Sequence, residues 1–235
     1  MATLLLRLAA PLQAWGIDSK FDTRKTGRVP SKSGVIGLLA AALGYKRYET
    51  DKLASLNDLS FGVRTDREGK LLRDFHMAHS IEKDKNNEYK YQCLTQRYYL
   101  SDAVFLAGFE GGREKLEEIA SALSSPVFPL FLGRRSCPPT LPLCLGVRDL
   151  PLEEALRAEP PLVENPRGSM RITTDASENE RGIAAQRDIP LSFDPRRRAY
   201  GYRNVSEREP ILIGKVEHDP FDELEEDNVS LTDKT

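Results

Sequence analysis

An α+β fold is predicted by three features of the 235-residue sequence. Short apolar runs bounded by Gly and Pro alternate with stretches of helical period, in the order strand, helix, strand, strand, strand, helix, strand. A polar arm near residues 80–97 interrupts this order and offers little to a core. Beyond Pro151 the pattern weakens, strands recur, and Pro160-Pro161 and Pro166 break the chain between them. Residues 1–150 therefore come close to a βαββαβ, ferredoxin-like (RRM-like) core with an insertion, and 151–216 to a smaller β-rich region.

Each element has a local cause. Thr3 to Ala9 (TLLLRLA) is short, apolar and soon broken by Pro11, so it reads as a buried strand that delivers Gln13, Trp15 and Gly16. Trp15, the single tryptophan, reads as core or rim packing rather than a base platform. Pro30 pushes Val29 out of the helical region, Ser31 or Ser33 can cap, and Gly34 to Leu43 forms a short apolar helix stopped by Gly44. Thr50 caps a brief helix through Leu56. Leu59 to Thr65 and Lys70 to Ala78 alternate about Asp66-Arg67-Glu68-Gly69 and read as a hairpin. Ser80 to Arg97 follows as a protruding hairpin or flexible arm, with Lys83, Lys85 and Lys90 set among Tyr89, Tyr91, Tyr98 and Tyr99. Ala103 to Phe109 is an apolar strand, and Leu116, Ile119, Ala120 and Leu123 mark the inner face of a helix over Arg113 to Leu123. Leu141 to Val147 is a further apolar segment. Leu152 to Ala158 supplies a helical turn or two, and Met170 to Thr174 and Ile211 to Val216 read as strands.

Composition narrows the function classes. Hydrophobic residues at 40% suffice for a core, and charged residues at 30% suit a soluble chain. Seven acidic residues between Glu217 and Asp227 turn a body of net +5 into a chain of −2, and 217–235 reads as an acidic disordered tail. Cys93, Cys137 and Cys144 form no C-x-x-C pair, which argues against a disulfide framework or a zinc site and suits a reducing cytoplasm. No cofactor or metal is expected. No run approaches the roughly 18 apolar residues of a membrane span, and Arg7 interrupts the apolar N-terminus, against a signal peptide.

The candidate site is the basic loop before the first helix. Arg24, Lys25, Arg28 and Lys32 crowd a segment that has no acidic residue between Thr23 and Gly44. Cations, a helix N-terminus and the small residues Ser33 and Gly34 together favour a phosphate. Lys32-Ser33 precede the glycine, so the loop is not a Walker A motif. A second basic loop, Gly133-Arg134-Arg135-Ser136-Cys137-Pro138, flanks the same predicted sheet. Two such loops suit a groove that tracks phosphates. Ser60-Phe61-Gly62-Val63 lacks an RRM signature, so the loops rather than the sheet face are expected to bind.

Five blocks in order carry a nearly full-length resemblance: Leu6 to Gly16 (LRLAAPLQAWG), Thr23 to Gly44, Leu72 to His76 (LRDFH), Tyr98 to Phe105 (YYLSDAVF) and Leu132 to Pro138 (LGRRSCP). The chain resembles the CasD subunit family of the type I-E CRISPR surveillance complex, Cascade, within the RAMP superfamily. The resemblance implies a ferredoxin-like palm, a hairpin thumb at about 80–97, and a smaller C-terminal β region. It implies a non-catalytic clamp on the 5′ tag of the crRNA that touches target DNA only indirectly. The expected neighbours are the CasC backbone subunit, the large CasA subunit and other Cascade subunits. On the matched blocks the expected RNA contacts are Arg24, Lys25, Arg28, Lys32, Ser33, Gly34, Arg73, His76, Arg134, Arg135 and Ser136. The alternative is a metal-independent endoribonuclease processing precursor crRNA through His76 and His79. Those residues, three apart, fall on opposite faces of a strand.

Overall fold

The computed structural model describes residues 1–16, 22–80, 82–83, 85–88, 92–164, 169–177, 180 and 182–212. Lys90, Tyr89, Tyr91, Arg181, residues 213–216 of the last predicted strand and the acidic tail lie outside them.

The first strand, β1 (Ala2–Ala9), is buried at almost every position, as its apolar run requires. β2 (Leu12–Gln13) and β3 (Thr23–Arg24) are short. The helix α1 (Lys32–Ala42) begins at Ser31, whose hydroxyl accepts from the Gly34 amide at 3.3 Å, so Ser31 rather than Ser33 is the cap. Gly44 takes φ +75° beyond its end. α2 (Thr50–Asn57) starts from Glu49, whose carboxylate accepts from Lys46 N instead of capping. Then come β4 (Ser60–Arg67), β5 (Lys70–His79), β6 (Gln92–Ser101), β7 (Val104–Gly111), α3 (Arg113–Ser124), β8 (Cys144–Arg148), α4 (Leu152–Ala158), β9 (Ser169–Asp175), β10 (Ala184–Ser192) and β11 (Ala199–Leu212).

Seven strands form one antiparallel sheet in the order β10-β11-β9-β4-β7-β1-β8. Strands from beyond Pro151 thus continue the sheet begun by the first strand, joining it where β9 pairs with β4. A second sheet contains β2, β3, β5 and β6.

This arrangement corrects the expected hairpin between Leu59–Thr65 and Lys70–Ala78. β4 pairs with β7 and β9, whereas β5 crosses to the second sheet and pairs with β6 along its whole length. Alternation marks both segments as strands but does not specify the partner of either. The antiparallel partner of β5 is β6, and residues 92–97 of the expected arm form the start of β6.

α1 and α3 pack with Leu4, Leu6, Leu8, Phe61, Phe105 and Phe109 in the larger core. On the other sheet face α4 lays Leu152, Ala155 and Leu156 against Leu5, Leu106 and Ile172. Arg64, fully buried, pairs with Asp66 at 2.7 Å and donates to the carbonyls of Leu156, Glu159 and Pro160. The C-terminal end of α4 is thereby tied to β4, as buried carbonyls and a buried charge both require.

Candidate nucleic-acid interface

The two basic loops meet. The amide of Ala14 donates to Leu132 O at 3.1 Å, which lays the second loop along the segment after β1. Gly133, at φ +84°, is required there because a Cβ would stand 1.6 Å from Ala14 O. From this loop Arg134 reaches across to donate to Arg24 O at 2.8 Å, and its guanidinium lies 4.6 Å from the Tyr99 ring centroid. β3 runs parallel to β6 with Arg24 beside Arg97, so Arg24, Arg97, Tyr99 and Arg134 converge on one surface. Burial raises the Tyr99 phenol, but the donors of Arg134, Ser136 and Arg97 outweigh it and hold the group below its ordinary value. Buried Arg97 Nε and Arg134 Nη1 have no hydrogen-bond partner among the described residues. Arg24, Lys25, Arg28, Arg135 and Ser136 are exposed around them. The surface can offer several donors and a stacked cation to an anionic strand.

The other expected contacts are placed differently. Lys32 is buried, and its ammonium donates to the carbonyls of Asn57 and Leu59 and to Asp175 at 3.1 Å. Asp175 Oδ1 also receives Arg203 at 2.6 Å, and Arg203 binds fully buried Asp188 at 2.7 and 3.0 Å. Asp188 in turn accepts from the Lys32 amide at 2.7 Å, so a carboxylate of the chain itself already occupies the N-terminus of α1. Burial lowers the Arg203 pKa, but these two carboxylates reverse the sign and keep it raised. Ser33 is buried beside Ser31, and a Cβ on Gly34 would come 2.9 Å from the Trp15 ring. Lys32, Ser33 and Gly34 therefore face the interior, which corrects their assignment to a phosphate-facing helix entrance. Arg24, Arg28 and Lys32 were expected to share one partnerless surface, but Lys32 has acidic partners in Asp175 of β9 and Asp188 of β10.

Trp15 is buried; its indole N–H donates to Gln13 Oε1 at 3.0 Å, while Gln13 Nε2 donates to Leu8 O and Ala103 O. On the β5–β6 ribbon, Asp74 opposes Arg97 and His76 opposes Thr95, so His76 shares the Arg97 face. Arg73 opposes Tyr98 on the other face and is not brought to the basic surface. His79, three residues from His76 in the same strand, alternates to the face opposite it, an arrangement that does not favour a proton-transferring pair.

Residues 3–206 match the family described as CRISPR-associated protein (Cas_Cas5). The chain belongs to the CRISPR-associated Cas5 family. It is 38% identical over 156 residues to the CRISPR system Cascade subunit CasD of Escherichia coli (strain K12), covering 61% of this chain and 70% of that one. Among solved structures, one titled as a Cas protein is 40% identical with TM-score 0.68, over 89% of this chain and 95% of that one. A second, titled as a CRISPR RNA-guided surveillance complex, is 34% identical with TM-score 0.74, over 90% of each chain.

Within this Cas5-family chain, sequence reasoning missed Arg97 and the Asp175–Asp188–Arg203 network. Arg97 lay at the end of a segment read as an arm, and its proximity to Arg24 arises only from parallel pairing. The acidic partners of Lys32 lie 143 and 156 residues away. Among the described residues no group of three or more His, Cys, Asp and Glu could hold a metal ion, and no helix is long and apolar enough to cross a membrane.

Proposed function

We propose that the chain is a non-catalytic, cytoplasmic RNA-binding subunit of a Cascade-type complex that clamps the 5′ tag of the crRNA. The observation that carries this reading is the convergence of Arg24, Arg97 and Arg134 around Tyr99, with two buried guanidinium nitrogens left unpartnered among the described residues. Phosphates supply the acceptors that such groups lack. The order β4-β7-β1-β8, with α1 and α3 on one face, supports a ferredoxin-like palm within residues 1–150. α4 occupies the other face, which supports binding by loops rather than by stacking on central strands. The β5–β6 ribbon plays the thumb, and exposed Leu71, Phe75, Met77 and Leu94 along it suit contact with a CasC-type neighbour or CasA.

The test is crRNA retention by complexes assembled with an Arg24→Glu/Arg134→Glu double variant. Loss of RNA with an unchanged circular dichroism spectrum is expected, and wild-type retention would refute the clamp. Incubating the chain with repeat RNA in EDTA addresses catalysis; intact RNA is expected, whereas 2′,3′-cyclic phosphate ends would reveal a ribonuclease.

A further inference from the structure

Beneath the first basic loop is a cavity of about 230 Å³, roofed by Gly27–Pro30. Its walls come from four strands. Phe61 and Val63 alternate onto one face of β4, Thr173 lies opposite Val63 on β9, and Gln186 of β10 lies opposite Arg203 of β11. The Arg203 guanidinium is fixed 5.3 Å from the Phe61 ring centroid by its two carboxylates, giving the cavity a planar cationic wall beside an aromatic floor. The roof is anchored, because Gly27 N donates to Trp15 O at 2.8 Å.

We infer that this cavity receives one extruded base of a bound RNA strand, with Arg28 at its rim holding the adjoining phosphate; the inference rests on the RNA-binding reading above. Size selects the ligand, since pockets for drug-sized molecules begin at about 300 Å³ and this one admits a single flat heterocycle. Its chemistry agrees. The Gln186 amide and the Thr173 hydroxyl form no hydrogen bond to another described residue, whereas Arg203 and its carboxylate partners nearby are fully engaged. A carboxamide both donates and accepts, as a base edge demands. Arg28 is exposed and makes no ion pair among the described residues, which leaves it free for a phosphate.

The experiment measures binding of the full chain to single-stranded RNA of its CRISPR repeat, with an abasic site moved along the strand one position at a time. Wild type should show one position where the abasic site weakens binding about tenfold, in line with the loss of one stacked base. Thr173→Phe, which fills the cavity, should weaken intact RNA to the same extent and show no further loss when that position is abasic. Gln186→Leu, at a half-exposed site, should make the loss depend on which base occupies that position. Additive losses for Thr173→Phe and the abasic site, or a Gln186→Leu variant indifferent to base identity at every position, would overturn the pocket while leaving the clamp intact. A wild-type chain that binds no RNA would overturn both readings.

Discussion

Arg134 combines two tasks at the scale of one residue: it stacks on Tyr99 and bridges to the carbonyl of Arg24. Arg134→Gln removes the stacked cation and is expected to weaken RNA binding about tenfold, or about 1.4 kcal/mol, between the values for exposed and desolvated cation–π contacts. The same variant should raise the Tyr99 pKa, because Arg134 is the largest of the influences lowering it. Ultraviolet titration of the tyrosines checks both sign and site. Since the folded phenol ionises below the unfolded value of about 10, its stabilising contribution is complete above that pH and vanishes as pH falls through the folded value. Asp188→Asn should be more costly for stability, destabilising by about 3–5 kcal/mol in urea titrations because it removes a fully buried carboxylate from the Arg203 ion pair and weakens the acceptor of the Lys32 amide. Gly34→Val should force the Trp15 ring aside, shift its fluorescence and destabilise by about 1–3 kcal/mol. Any loss of RNA binding that follows should fall equally on tag and scrambled RNA, and Lys32→Met should leave the salt dependence of binding unchanged.

Elements were legible wherever a local pattern determined them. β1, α1, β7 and α3 were recognisable because a buried run, a cap and a helical period each act within a dozen residues. Pairing was not: β4 and β5 alternate equally well, and only the competition of β7 and β9 for the edges of β4 sends β5 elsewhere. The site divides in the same way. Exposed Arg24, Lys25, Arg28 and Arg135 and half-buried Arg134 could be found as charge without local acid, while Lys32 looked identical until distant β9 and β10 supplied its neighbours. The ribbon carries its own prediction. Replacing residues 80–91 by Asn-Gly should preserve the thermal midpoint and weaken assembly with neighbouring subunits. A deletion extended through Arg97 should also unseat β3, which pairs with Gln96 and Arg97, and should be visible as lost RNA binding by the isolated chain.

For the whole molecule, charge distribution outweighs net charge. Deleting the acidic run Glu217–Asp227 changes the chain from −2 to +5, so association with scrambled RNA should rise at low salt. The gain should disappear near physiological ionic strength, where screening acts over about 8 Å. Filter binding across a salt series measures it. The joint between Lys32 and Asp188 has a consequence in time. These partners are 156 residues apart, and at about 5–20 residues per second the ribosome delivers the carboxylate roughly 8–30 s after the loop it anchors. A nascent chain therefore displays the positive charge of Arg24 and Arg28 well before it can lock the helix behind them. Under the proposed clamp, firm capture of a guide strand is expected only of finished chains, and a translation product truncated before β10, which lacks Asp188, is expected to fail to assemble.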